Sequence, residues 1–218
     1  MKNILCFLMI LMIGFVNGQA NEPKIIRKPI SYSEDRIRLS LEYLKEHHGL
    51  VQKTSVIVPK MIILHYTANG DVESNFKYFN KTYLEGGRNT LKKQSALNVS
   101  SQYLIDRDGT IYQLMEPDQF ARHTIGLNYC AIGIENIGSK KEPLTDKQVA
   151  ANAQLIRYLI KKYKIEYLIG HSEYGAFRNS KLWKESDPGY FTIKEDPGQD
   201  FMNKVRRQVA DLHLKDQP

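Results

Sequence analysis

Apolar positions along the chain fall into two patterns, short unbroken runs and stripes at helical spacing. Ile37, Leu41 and Leu44 share one helical face. They follow Ser31 and Glu34, which have capping-box spacing, and precede Gly49, so a helix is predicted over 33–48. Met61-Ile62-Ile63-Leu64 predicts a buried strand ending at His65. Phe76, Phe79 and Tyr83 suggest a helix over 71–84, whereas 85–98, with Gly86-Gly87 and several lysines, reads as loop. Strand-like runs over 99–105 and 110–115 flank Asp106-Arg107-Asp108-Gly109, a hairpin signal. A further strand is predicted over 129–135. Thr145 caps a helix carrying Val149, Ala153, Ile156, Ile160 and Tyr163 on one side. A strand over 165–169 ends at Gly170-His171, and residues 172–200 are rich in turn formers. Phe201, Val205, Val209 and Leu212 mark a last amphipathic helix. This alternation predicts a single α/β domain, a central mixed β-sheet flanked by helices.

The first residues follow another rule. Lys2 precedes an apolar run over 4–15, and Val16-Asn17-Gly18-Gln19-Ala20 offers small residues for cleavage after Gly18 or Ala20. That is a secretory signal-peptide pattern over 1–20. The alternative is an N-terminal membrane anchor, but the run falls short of the roughly 20 residues a span needs. The mature chain is therefore expected to be exported, with no stable membrane insertion. Residues 21–57 read as a polar arm and the first helix, and 58–214 as the main domain. Removing the signal also removes Cys6. Cys130 then has no intramolecular partner, and its apolar neighbours mark it as a small core residue.

Composition excludes little beyond the obvious: 42% apolar, 25% charged, 14 Gly and 8 Pro in 218 residues leave no room for a collagen-like or low-complexity chain. Lys and Arg exceed Asp and Glu by 31 − 24, a net charge of +7. The lysines at 92–93, 140–141 and 161–162 are scattered without interleaved aromatics, so no nucleic-acid partner is expected.

Three apolar runs end in a residue able to bind metal or move protons: Leu64 leads to His65, Ile134 to Glu135, and Ile169-Gly170 to His171. Strand ends are where such sheets build sites. Two histidines and one carboxylate suffice to hold a zinc ion with one position left open. His47, His48 and His213 lie on or near helix ends and receive no role.

Five blocks occur in order: Leu64-His65-Tyr66-Thr67-Ala68; Asp106-Arg107-Asp108-Gly109-Thr110-Ile111-Tyr112-Gln113; Ile132-Gly133-Ile134-Glu135; Gly170-His171-Ser172-Glu173; and Lys194-Glu195-Asp196-Pro197-Gly198-Gln199-Asp200-Phe201. Together, over about residues 58–212, they resemble the type 2 N-acetylmuramoyl-L-alanine amidases. That family includes the phage lysozyme-type amidases and the animal peptidoglycan recognition proteins.

The resemblance implies a mixed sheet with one zinc ion in a surface groove at the strand ends, held by His65, His171 and Asp196. Asp187 is the other candidate, but Lys184-Glu185-Ser186-Asp187 has one residue too many between Lys and Asp. Glu135 is implied as the carboxylate that takes a proton from water and passes it to the leaving amine. Lys194 is implied as the cation that stabilises the tetrahedral intermediate, and His123 as a groove residue that binds substrate. The implied function is a secreted or periplasmic zinc amidase cleaving the lactyl amide between N-acetylmuramic acid and L-alanine, with peptidoglycan or its fragments as partner. The alternative is a peptidoglycan-binding module without activity. Departures from the family occur at Gln102, where many relatives have His, at Ser101, where phage members have Tyr, and at Arg122, where Trp is frequent.

Overall fold

The computed structural model describes residues 22–218, so the signal-peptide reading of 1–20 lies outside the described residues. The strands β1 (Ile25–Arg27), β2 (Met61–Tyr66), β3 (Tyr103–Ile105), β4 (Ile111–Gln113), β5 (Ala131–Asn136) and β6 (Tyr167–Gly170) form one sheet in the order β1-β4-β3-β5-β2-β6. The β3–β4 hairpin is antiparallel and every other neighbouring pair is parallel. Around the sheet lie α1 (Glu34–His48), α2 (Val72–Asn80), α3 (Asn89–Gln94), α4 (Asp146–Ile160) and α5 (Gln199–Gln208), with 3₁₀ turns at His171–Asn179 and Ala210–Leu212. The predicted α/β class with a mixed sheet is the observed one. None of the described helices is long and apolar enough to cross a membrane.

The central strands are apolar at successive positions because both their faces are covered. Side chains alternate across a strand, so parity assigns the faces. Ile62, Leu64, Ile132, Ile134 and Leu168 pack with Val149, Leu155 and Ile156 of α4 and with Phe201 and Val205 of α5. Met61, Ile63, Ala131, Tyr167 and Ile169 pack on the opposite face with Leu39, Tyr43 and Leu44 of α1 and with Phe177. His65, Glu135 and His171 continue this second series. The alternation that builds the core thus also delivers the three polar strand-end residues to one side of the sheet.

Several boundaries differ from expectation for local reasons. The cap of α1 is Ser33, whose hydroxyl accepts from the Arg36 N–H, and not Ser31, whose N–H donates to Asn80 Oδ1. Helix α2 stops at Asn80, short of 84, because buried Arg36 and Asn98 donate to the carbonyls of Tyr78, Phe79 and Lys81 at its end. Residues 82–84 then pair with 96–98 through Leu84 N–H to Ala96 and Asn98 N–H to Thr82. The arm contains β1, the segment read as loop contains α3, and the turn-rich stretch opens with a 3₁₀ helix. Helix α4 begins as expected, with a full capping box between Thr145 and Gln148.

Candidate metal centre

His65 stands near the end of β2, His171 directly follows β6, and Asp196 comes from the loop before α5. His65 Nδ1 and His171 Nδ1 are 3.0 Å apart. Asp196 Oδ2 lies 3.3 Å from the first and 3.1 Å from the second. Two backbone features bring Asp196 in. The Ser172 N–H donates to the Asp196 carbonyl at 2.8 Å. The Pro197 ring rests on Gly170, where a Cβ would stand 2.9 Å from Pro197 Cδ. Gly170 is thus the residue that lets the loop approach the strand end. Its own N–H donates to Glu173, which Arg206 of α5 pairs with in turn.

Three donor atoms converging from three elements suit zinc. A tetrahedral zinc ion with arms of about 2.0–2.1 Å separates its ligands by roughly 3.3 Å. Two imidazoles and one carboxylate match its ligand preference. Burial pushes His171 down to about 4, so its ring is neutral at neutral pH. Burial works against a charge on Asp196, yet the hydrogen bond from His171 and the nearness of His65 outweigh it and hold the carboxyl far below the usual range. His171 is therefore uncharged and Asp196 ionised, the charge states that metal ligands take.

Glu135 lies beside His65 in the β2–β5 register. Its Oε2 is shut off from solvent with no hydrogen-bond partner. Burial pushes its carboxyl up to about 7, with Asp196 adding to the rise and His65 and Lys194 opposing it. A carboxyl poised there can both take and return a proton near neutral pH. Lys194 is half-buried, and desolvation lowers its pKa against the pull of Asp196 and Glu135. All five residues line one groove of about 540 Å³, and His123 forms part of its wall. Asp187 is elsewhere: its carboxylate accepts from the Gly189 N–H and from Gln94 in a turn.

Residues 54–199 match the family model described as N-acetylmuramoyl-L-alanine amidase. The chain belongs to this family. Among solved structures it is similar to the N-acetylmuramoyl-L-alanine amidase LysC from Clostridium intestinale URNW, at 22% identity and TM-score 0.55 over 88% of this chain and 99% of that one. It is similar to an AmpD derivative at 21% and 0.53, over 84% and 93% of the two chains. It is also similar to bumblebee PGRP-SA at 18% and 0.52, over 90% and 99%. At such identities the likeness is one of fold. No curated protein matches the chain.

The departures from the amidase pattern acquire reasons. Gln102 is fully buried, accepting from the Gly133 N–H at 2.7 Å and donating to the Gln119 carbonyl at 2.8 Å. Ser101 donates to the Tyr103 carbonyl. Both lie just before β3 and are held by backbone groups. Arg122 is buried and holds the carbonyls of Leu91, Ser95 and Leu97 together with the Tyr190 hydroxyl. It thereby pins the segment carrying α3 along the groove. Sequence reading also missed Tyr43 of α1, which precedes the matched span yet lines the groove. It lies outside the Ile37, Leu41 and Leu44 stripe and carries no motif, so nothing along the chain hinted at this. Cys130 is buried, and burial pushes its thiol up to about 12, which leaves it inert.

Proposed function

We propose that the protein is a zinc-dependent N-acetylmuramoyl-L-alanine amidase that hydrolyses the lactyl amide between N-acetylmuramic acid and L-alanine in peptidoglycan or its fragments. The observation carrying this reading is the convergence of His65, His171 and Asp196 within 3.0–3.3 Å of one another, beside the half-buried carboxyl of Glu135. The signal-peptide pattern supports export to the periplasm or beyond, since the substrate lies outside the cytoplasmic membrane. A recognition role alone needs neither a complete ligand set nor a proton-transfer group.

His65, His171 and Asp196 would hold the ion. When bound, zinc supplies Lewis-acid polarisation of the amide carbonyl and makes water far more acidic. Glu135 takes the proton of the attacking water, a transfer its raised pKa permits near neutrality, and delivers it to the departing L-alanine amine. Lys194, two residues before Asp196, faces the groove and offsets the negative charge that grows on the carbonyl oxygen. Tyr43 and the Arg122-pinned segment form part of the groove wall.

Mass spectrometry of purified muropeptides incubated with the protein decides the matter. Release of free stem peptides with an L-alanine amino terminus, abolished by a chelator and restored by zinc, is the expected outcome. Zinc bound stoichiometrically without any cleavage assigns the protein to recognition instead.

A further inference from the structure

Both nitrogens of His123 have protein partners. Its Nε2 lies 3.3 Å from the Ala131 carbonyl, and its Nδ1 lies 3.0 Å from Nε2 of His65. A carbonyl only accepts, so His123 Nε2 carries the ring's proton. The neutral ring then presents a bare Nδ1, which accepts from His65 Nε2–H. That leaves His65 Nδ1 without a proton, and this is the atom 3.0 Å from His171 Nδ1 and 3.3 Å from Asp196 Oδ2. The Thr124 hydroxyl is also 3.0 Å from His123 Nδ1. Were it to accept from that nitrogen, a bare Nε2 would face the Ala131 carbonyl, which the geometry disfavours.

From this chain we infer that His123 is a positioning residue: with the Ala131 carbonyl behind it, it locks His65 in the Nε2–H tautomer that leaves Nδ1 free for a metal. A second observation stands apart from the hydrogen bonds. The His123 ring lies flat on Gly133, where a Cβ would stand 2.9 Å from both Cδ2 and Cγ. Gly133 is itself held by Gln102. The strand β5 thus supplies, at alternate positions on one face, the carbonyl that orients His123, the bare backbone that makes room for it, and Glu135. The backbone N–H groups of His123 and Thr124 both donate to Asn128 Oδ1, fixing the loop from which the ring projects. With both nitrogens engaged, His123 has none left for substrate, which replaces the substrate-binding role implied by resemblance.

The inference rests on the zinc reading above, and its test separates the two. Nitrogen-15 NMR of the metal-free protein reads the His65 tautomer directly, and chelator competition reads zinc affinity. The expected results are a single Nε2–H tautomer in wild type, a mixture in His123→Phe, and zinc binding weakened about 10–100-fold in that variant. His123→Gln, whose carbonyl can accept from His65, recovers part of the affinity. An Nδ1–H tautomer in the wild type overturns the inference. So does a His123→Phe variant that binds zinc as tightly as wild type while its KM rises, the mark of a substrate contact. If His123→Phe fails to fold, the wild-type tautomer still decides. Failure of wild type to bind zinc overturns the metal reading, and the tautomer then judges the hydrogen-bond chain alone.

Discussion

Asp187 and Asp196 stand in the same tripeptide, Asp-Pro-Gly, and do different work. Asp187 is occupied by Gly189 and Gln94, whereas Asp196 faces two imidazoles. Asp196→Ala is therefore expected to abolish stoichiometric zinc, and Asp187→Ala to retain it with only a small loss of stability. Metal analysis of the two purified variants checks this, and the reverse result would move the ligand role to the other turn. Glu135→Gln keeps shape and polarity but cannot shuttle a proton. Its zinc content should match wild type while turnover falls by about 10²–10⁴-fold; a rate near wild type excludes Glu135 as the base. At this scale much was legible, because His65, Glu135 and His171 each end an apolar run and Lys194-Glu195-Asp196 has diagnostic spacing. The partner of His123 was not legible. Which nitrogen of His65 it meets depends on a fold that brings together residues 58 positions apart.

Elements announced themselves in proportion to what they bury. Helices α1 and α4 carry apolar stripes and side-chain caps, and β2, β5 and β6 are covered on both faces, so all five were readable. Helix α3 has no buried residue, and β1 is three residues long with two exposed, so neither leaves a periodic trace. The 3₁₀ helix did leave one: His171, Tyr174 and Phe177 are its buried residues, spaced by three, the 3₁₀ period. Since α3 has no fully buried residue, hydrogen bonds carry much of its attachment, among them those of Arg122, whose guanidinium holds three carbonyls on either side of its C-terminus and lies 5.2 Å from the Tyr43 ring. Arg122→Met leaves those carbonyls without their donor, at a cost of about 1–3 kcal/mol. Hydrogen exchange over 89–98 should quicken and KM should rise with zinc content unchanged. Exchange at the wild-type rate would show that the segment is held by something else.

Across the whole molecule, one of the links between the segment before the family-matched span and the rest of the chain is a buried ion pair. His47, in the last turn of α1, places Nδ1 2.9 Å from Glu185 Oε1 and Nε2 3.0 Å from the Gln94 carbonyl. These partners lie 138 and 47 residues away, so no local pattern foretold the contact. Both partners only accept, so the doubly protonated ring satisfies both, while the neutral ring must turn a lone pair toward one of them. Burial alone lowers the pKa of His47. The hydrogen bonds to Glu185 and Gln94 and the charge of Glu185 outweigh burial and the opposing Arg122, and the net shift is upward. His48 beside it is pushed down to about 4 by burial and stays neutral, donating to the Lys184 carbonyl. Tyr43, stacked on His47, is a phenol that burial pushes well above its usual pKa, so it stays neutral in this range. A folded pKa above the unfolded value of about 6.5 binds a proton more tightly in the native state. The stabilisation is complete below about pH 6.5 and is lost as pH rises through the folded value. Urea midpoints at about pH 6 and about pH 8.5 should therefore fall further in wild type than in His47→Gln, which carries no titrating ring. Equal declines in the two proteins would mean that His47 does not hold its proton in the fold.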